Sequence, residues 1–280
     1  MLTAETVTTA MALCTNDVCN GNMQAWRTHL GGVMRLLAGF LDSQGTLRIA
    51  DPYIQCVVKW FTTMDVIAGL SGLKTGDILG LENGLLQRIL DQDSVHVDDM
   101  CGYSLKLAPL LAKLSHLVRR QSQSELGLRD RMEESQSLEN EIYSLVDCRI
   151  SNVGGHIDLQ STHLAFVYSA LLHLHRRVQM LPSHHDVVKS DIKNIIHAIE
   201  QISPFSSANI LILWPMFSAG CETNDIKERE FIYRRMGDMQ NLGMGNFTRA
   251  REILSNYWAS NSSLSWDSYY ATLGLELVLF

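Results

Sequence analysis

The chain has 280 residues, of which 46% are hydrophobic and 19% charged, an ordinary composition for a globular protein. With 23 Lys and Arg against 30 Asp and Glu, its formal net charge is −7. Because non-specific affinity for nucleic acid comes from clustered Lys and Arg, this balance argues against direct binding to a phosphate backbone. The pairs Arg119–Arg120, Arg176–Arg177 and Arg234–Arg235 are scattered along different predicted helices and are interpreted as solvated faces.

The cysteines and the first residues of the chain indicate in which cellular compartment the protein is expected. The six cysteines form no CxxC pair, and most fall inside apolar helical runs, where free cysteine behaves as a small hydrophobe. This pattern predicts a reduced, intracellular environment. The opening MLTAETVTTAMALC lacks a basic region and a long apolar core, so no signal peptide is predicted. No other segment is long enough to cross a membrane, so no membrane partner is expected.

Apolar residues recur at spacings of three and four along the first half, and strand signals are nearly absent, which predicts helices. Asp51 is the expected N-cap of a helix with Pro52 at its first position, a favoured start. Residues 71–84 carry four glycines and are predicted to form a mobile loop. The predicted helices in this half cover residues 3–13, 22–41, 52–70, 85–90, 101–123 and 128–148.

The second half continues the helical pattern. Asp225 with Glu228 three residues later forms a capping-box pattern at the start of one helix. The predicted helices on either side of the run 206–222 cover 159–181, 186–202, 226–242, 247–258 and 266–277. No fixed repeat period is present. The sequence therefore predicts an all-α, single globular domain of about eleven helices, extending over residues 1–280.

The most apolar stretch, Ser206–Glu222, is expected to lie at the centre of this domain. It is apolar on every side yet shorter than the roughly 20 residues a bilayer requires, which favours burial in a protein core. Pro215 has no backbone N–H, so a helix must restart near it, or another group must satisfy the carbonyl of Leu211. Ala219 and Gly220 form a small-residue face where a neighbouring helix can approach closely.

No arrangement of residues in the sequence predicts catalysis or a metal site. Cys14 and Cys19 with His29 lack a standard zinc spacing. His173 and His175 would project about 200° apart on a helix, so they cannot chelate one ion together. The acidic clusters lack the further acids that terpenoid-synthase-like magnesium binding requires. We therefore expect no enzyme activity and no cofactor in this chain.

An effector pocket between helices is a further hypothesis. Small-molecule pockets are mostly apolar with a few well-placed polar groups. Trp214, beside the proline break, and the pair Trp26 and His29 are the candidate effector-binding residues. The alternative interpretation is that both tryptophans are ordinary core residues.

A series of segments, in order along the chain, resembles the fungal-specific transcription factor domain, the regulatory domain attached to fungal binuclear zinc-cluster proteins. The segment LWPMFSAGCET is followed by IKEREFIYRRMGDM and then by GMGNFTRAREIL, with a tryptophan four residues further on. Earlier, MQAWRTHLGGVMRLL is similar to the family's tryptophan and histidine segment, and STHLAFVYSALLHLHRRVQMLP to its helix before a proline. The similarity covers about residues 11–257.

The resemblance implies a nuclear, helical regulatory domain that controls RNA polymerase II transcription. Its partners would be proteins of the transcription machinery or a second copy of the chain, with a small molecule as an effector. The family's DNA-binding module carries six closely spaced cysteines, and this chain has no such cluster. Zinc binding and DNA contact therefore do not transfer to these residues. The alternative is a stand-alone helical ligand-binding or protein-interaction protein that retains the fold.

Overall fold

The computed structural model describes residues 3–20, 26–40, 52–71, 96–123, 127–147, 157–241, 243–274 and 279. These residues hold eleven α-helices and no strand, apart from one isolated antiparallel bridge between Val97 and Ser104, which confirms the all-α prediction. None of the helices in this part of the chain is long and apolar enough to cross a membrane.

The helices follow one another as α1 (Ala4–Cys19), α2 (Trp26–Ala38), α3 (Pro52–Leu70), α4 (Leu107–Ser122), α5 (Leu128–Tyr143), α6 (Ile157–His173), α7 (Asp186–Glu200), α8 (Leu213–Glu222), α9 (Ile226–Gln240), α10 (Gly245–Ser260) and α11 (Trp266–Thr272). A π-helical turn, Leu174–Val178, continues α6, and a 3₁₀ helix, Ser207–Leu211, precedes α8.

Two helix boundaries differ from the prediction for identifiable reasons. Helix α1 continues to Cys19 instead of ending at Leu13, because Cys14 and Val18 extend its buried stripe at helical spacing. Helix α4 begins at Leu107 and not at residue 101, because Asp98 accepts the backbone N–H groups of the next turn and directs the chain away from helix. The predicted cap at residue 51, the helix 85–90 and the loop 72–84 lie outside the described residues.

Helix α3 joins two hydrophobic clusters. The smaller cluster is formed by α1, α2 and one side of α3, with Met64 and Ala68 among its members. The larger cluster collects α4 to α11, and Val66, Ile67 and Leu70 of α3 belong to it. The second half of α3 is therefore buried on nearly every side. A helix that is apolar all round is stable only when neighbours cover all its faces, and here two cores supply them.

Helix α8 lies inside the larger cluster. All ten of its residues are buried, and it packs against α6, α7, α9 and α10. The 3₁₀ helix ends at Leu211 and α8 begins at Leu213, so Pro215 falls in the first turn. Backbone N–H groups in a first turn have no intrahelical partner, so the missing proline N–H costs the helix nothing. The apolar run is therefore two short helices and not one rod.

Gly220 lies where α8 packs closely against α9 and α10. A Cβ atom at this position would lie 2.6 Å from Cδ2 of Leu254 on α10 and 3.5 Å from Cγ2 of Ile232 on α9. The indole N–H of Trp258 donates to the Gly220 carbonyl at 2.9 Å. The absent side chain thus lets α9 and α10 both reach the last turn of α8.

Candidate functional site

The π-helical turn Leu174–Val178 positions three consecutive ionisable side chains. A π turn has a wider register than an α-helix, and such turns often occur at functional sites. His175, Arg176 and Arg177 each extend from this turn to a different neighbouring element. The turn is therefore linked through polar side chains to α7, α8 and α3.

His175 links the π-helical turn to α5 and α7. Its Nδ1 lies 2.6 Å from Oδ2 of Asp191, and its Nε2 lies 3.4 Å from Oε1 of Glu139. Burial disfavours the charged imidazole, but the hydrogen bond and charge of Asp191, together with Glu139, raise the pKa of His175. The side chain therefore links the π-helical turn to α7 through Asp191 and to α5 through Glu139.

Arg177 links the same π-helical turn to α3 and α11. Only 8% of its surface is exposed. Its Nη1 donates to the carbonyl of Leu70 at 2.9 Å, and its Nε lies 3.3 Å from Oδ2 of Asp267. The guanidinium carbon is 5.2 Å from the ring centre of Trp266. One arginine thus connects three segments far apart in sequence.

The interpretation of the arginine pairs as solvated faces is wrong for Arg177 and for Arg235. Arg235 is 9% exposed, and its Nη2 donates to the carbonyl of Ile202 at 2.6 Å and to Oδ1 of Asn209 at 2.7 Å. The long arginine side chain can bring its guanidinium to buried carbonyl oxygens that no backbone N–H reaches. Burial of the arginine is then more favourable than exposure. The preceding residue in that pair, Arg234, is exposed as predicted.

His173, the last residue of α6, connects Arg177 to Trp214. Its Nε2 lies 2.8 Å from Oγ of Ser218 and its Nδ1 lies 3.4 Å from Nη1 of Arg177. Because arginine can only donate, Nδ1 accepts and Nε2 carries the proton. Burial and the Arg177 charge lower the pKa of His173 well below 6.5, so the ring is neutral. It stacks on the Trp214 indole with ring centres 5.0 Å apart.

Arg176 forms a buried ion pair with the last residue of α8. Its Nε donates to Oε2 of Glu222 at 2.5 Å, and its Nη1 donates to the carbonyl of Leu181. Glu222 is only 7% exposed. Burial raises the pKa of this carboxyl, and the neighbouring Arg176 opposes the rise.

Two cavities adjoin at the Arg176–Glu222 pair, because both are lined by these two residues and by Ser265. The larger, about 550 Å³, is called the serine cleft because four serines line it. The smaller, about 370 Å³, is the tryptophan cleft, lined by Arg177 and Trp266 among others. The four serines are Ser183, Ser262, Ser263 and Ser265.

Several elements converge on the serine cleft. They are the segment after the π turn, the end of α8, the start of α9, the end of α10 and the loop before α11. Asn261, at the end of α10, is one of two non-glycine residues with positive φ in the described chain, and Met180, which lines the tryptophan cleft, is the other. Such backbone conformations are uncommon and occur disproportionately at binding sites.

The structure does not bring the three predicted effector-binding residues together. Trp26 is fully buried in the smaller hydrophobic cluster, and His29 on the same helix pairs with Asp17, its Nε2 lying 3.2 Å from Oδ2. Trp214 is fully buried in the larger cluster. Trp214 stacks on His173, and His173 in turn contacts Arg177 in the lining of the tryptophan cleft.

The described residues contain no group of three or more His, Cys, Asp or Glu side chains that could hold a metal ion. His173 and His175 contact different helices, as their spacing predicts. The cysteines of this part of the chain are free thiols. Burial raises the pKa of Cys14 to about 11 and that of Cys101 to about 12, which makes both thiols poor nucleophiles.

The sequence profile of the fungal specific transcription factor domain matches residues 2–280, nearly the whole chain. The chain belongs to this family. The match extends beyond residues 11–257, over which the sequence motifs show the resemblance. No curated protein and no solved structure gives a significant match. Fungal transcription factor domains form a family of transcription regulators and not an enzyme class.

The residues that line the clefts of this fungal transcription factor domain were not predicted as site residues. Glu222 and Asp267 are single charges beside apolar or aromatic residues, and Arg229 lies within a charged run that is typical of a solvated face, so none of the three gives a site signal. The sequence around Arg177 is more informative. Leu174 and Val178, which are buried, lie on either side of it along the turn, so this part of the chain has no helix face that is polar throughout. Charged residues without a polar face are candidates for buried ion pairs.

Proposed function

We propose that this chain is the effector-responsive regulatory domain of a nuclear fungal transcription factor that controls RNA polymerase II transcription. The observation that carries the proposal is the family match over residues 2–280. In this proposal the chain carries no zinc, performs no catalysis and does not itself contact DNA. Its net charge of −7 supports the last point, because a DNA-binding surface needs clustered basic residues.

The two clefts support control by a bound effector. Small-molecule sites have volumes of roughly 300 to 1,000 Å³ and often lie between helices. The serine cleft, at about 550 Å³, falls within that range and touches segments from five parts of the chain. A ligand in this position would change the relative stability of those segments, and the surfaces they present to protein partners or to a second copy would change with them.

Trp214 remains a proposed contributor, as an indirect one. Its indole stacks on His173, and a change at Arg177 would reach the indole through that ring. In our proposal Trp214 senses occupancy of the clefts without touching the ligand. Trp26 and His29 remain proposed effector-binding residues as well, at a separate place on α2, where Trp26 lies in the smaller cluster and His29 pairs with Asp17.

A reporter assay tests the regulatory function. Residues 1–280 are fused to a heterologous DNA-binding module and expressed in a fungal host carrying a reporter gene with that module's site. The expected result is a several-fold change in reporter mRNA relative to the module alone, with the fusion in the nucleus. A folded, nuclear fusion that leaves transcription at the level of the module alone would refute the proposal.

A stand-alone ligand-binding protein that keeps the fold is the second candidate, and the clefts are the observation that favours it. The same reporter assay separates the two. Ligand binding by the purified chain together with no transcriptional effect of the fusion would favour the stand-alone protein.

A further inference from the structure

The serine cleft carries an excess positive charge inside an acidic protein. Arg176 and Arg229 line it, against the single carboxylate of Glu222. Arg176 is engaged with Glu222 and with the Leu181 carbonyl. Arg229 makes no ion pair with a carboxylate in the described part of the chain. The cleft therefore offers one uncompensated cation to whatever enters it.

The guanidinium of Arg229 is held in a fixed plane. Its Nε donates to the carbonyl of Thr223 at 2.9 Å and its Nη2 to Oδ1 of Asn224 at 3.1 Å. The guanidinium carbon also lies 5.3 Å from the ring centre of Trp258. Its Nη1 makes no hydrogen bond to the rest of the described chain. A fixed guanidinium with free N–H groups is the arrangement that proteins use to bind planar carboxylates.

Serine hydroxyl groups line the same cleft as this cation. The side chains of Ser183 and Ser263 make no hydrogen bond within the described residues, and both line the cleft. The Oγ of Ser262 accepts the backbone N–H of Leu264 at 3.1 Å, which leaves its own proton to donate. These groups can exchange hydrogen bonds with ligand hydroxyls as donors and as acceptors.

We propose that the serine cleft binds a small carboxylate that carries several hydroxyl groups, with Arg229 holding the carboxylate and the serines holding the hydroxyls. The uncompensated charge matches a singly charged anion. A dianionic phosphate would bring a second negative charge for which the cleft lining has no uncompensated cation. The regulatory consequence of binding rests on the proposed function, but binding itself does not.

Isothermal titration of the purified full chain with gluconate tests the site. Sorbitol serves as the uncharged hydroxylated control, hexanoate as the carboxylate without hydroxyls, and glucose 6-phosphate as the dianion. We expect saturable binding of gluconate, and weaker binding or none for the three controls. Absence of saturable gluconate binding, equal binding of sorbitol, or tighter binding of glucose 6-phosphate would each overturn the proposal.

Two variants locate the binding. Arg229→Gln removes the cation and should raise the gluconate Kd at least about tenfold, the effect of losing a hydrogen bond to a charged group. Arg249→Gln, on the exposed face of α10 with Glu252 as its partner, is the matched control and should leave the Kd unchanged. Unchanged affinity in a folded Arg229→Gln protein would exclude this arginine as the anchor.

A third variant covers the case in which Arg229→Gln does not fold. Ser263 is exposed in the loop before α11, so Ser263→Phe obstructs the cleft without disturbing the core. Loss of gluconate binding is expected, and parental affinity would overturn the proposal.

The reporter fusion then separates the two claims. Gluconate binding without any transcriptional effect of the fusion contradicts the proposed function alone, whereas an active fusion that binds no gluconate contradicts the cleft alone.

Discussion

At the scale of single residues, partly buried charges form links between segments distant in sequence. Lys59 on α3 donates to Oδ2 of Asp98 at 2.9 Å, while Oδ1 of the same carboxylate accepts the N–H groups of Met100 and Cys101. Burial alone would raise the pKa of Asp98, but the hydrogen bond and charge of Lys59 and the N–H of Cys101 lower it below 3.8. The carboxylate therefore stabilises the turn before α4 in its ionised form.

Asp98→Asn should destabilise the protein by about 1 to 2 kcal/mol at pH 7, the contribution of a charge-assisted hydrogen bond. Since the pKa of Asp98 is lower in the folded chain, its stabilisation is present above pH 3.8 and is lost as the pH falls through the folded value. Urea denaturation of the parent and of Asp98→Asn, at pH 7 and at pH 3, measures their free energies of unfolding. The difference between the two proteins should be smaller at pH 3.

The exposed neighbour Asp99 gives the control for this experiment. Asp99→Asn should change the free energy of unfolding by less than about 0.5 kcal/mol at either pH, as is usual for surface substitutions. If Asp98→Asn lost the same free energy at pH 3 as at pH 7, the proposed contribution of its charge would be wrong.

At the scale of elements, the close contact of α8 with α9 and α10 depends on Gly220. Gly220→Leu would place a branched side chain where a Cβ already lies 2.6 Å from Leu254. Overpacking costs about 1 to 3 kcal/mol, and the better helix propensity of leucine returns up to about 1 kcal/mol. We expect a net destabilisation of about 1 to 2 kcal/mol by chemical denaturation.

Leu273→Ala is the comparison for that variant. Leu273 follows the last residue of α11 and is 51% exposed, so its truncation should cost less than Gly220→Leu. Both variants are denatured beside the parent protein under the same conditions. A Gly220→Leu protein as stable as the parent would show that α8 is not packed closely at this face.

The π-helical turn gives a second prediction at this scale. Arg177→Met keeps most of the side-chain volume but removes the cation beside Asp267 and the donor to the Leu70 carbonyl. Ser265 and Ser268 still donate to Asp267. Removing one member of a buried ion pair typically costs at least about 3 kcal/mol. Arg234→Met, on an exposed face, should change stability by less than about 0.5 kcal/mol. Thermal denaturation of the two variants should therefore separate them clearly, and similar losses would contradict the difference in burial.

At the scale of the whole molecule, the charge and the fold together predict no sequence-specific DNA binding by this chain. The formal charge of −7 repels the phosphate backbone, and the buried Arg177 and Arg235 are unavailable to DNA. Gel-shift titrations at physiological salt should show no retardation of a specific duplex. The fusion to a heterologous DNA-binding module is the positive control, and selective retardation by the unfused chain would contradict the prediction.

Much of the fold could be predicted because helices are specified locally. Apolar residues at spacings of three and four, with caps such as Asp225, indicate where most helices lie. Pro215 indicates that the apolar run must restart near it, and α8 does begin two residues earlier. The early end predicted for α1 was wrong, because the continuation through Cys14 and Val18 is a weak pattern of small residues.

The candidate site could not be predicted in the same way. Arg176 and Glu222 are 46 residues apart, and Arg177 and Leu70 are 107 apart, so no local pattern indicates that they meet. The two tryptophans predicted to bind an effector, Trp26 and Trp214, lie in different clusters. Composition identifies an aromatic residue but not which core it enters.

The sequence by itself determined the helical class, the position of most helices and the family, because these depend on short-range periodicity and on contiguous motifs. Only the tertiary structure decided which charges are buried and where the two clefts lie. Burying an arginine is favourable only when carbonyl and carboxylate oxygens from other segments surround it. Those oxygens come together at Arg177 and at the Arg176–Glu222 pair only when α3, α8, α11 and the π-helical turn have packed against one another.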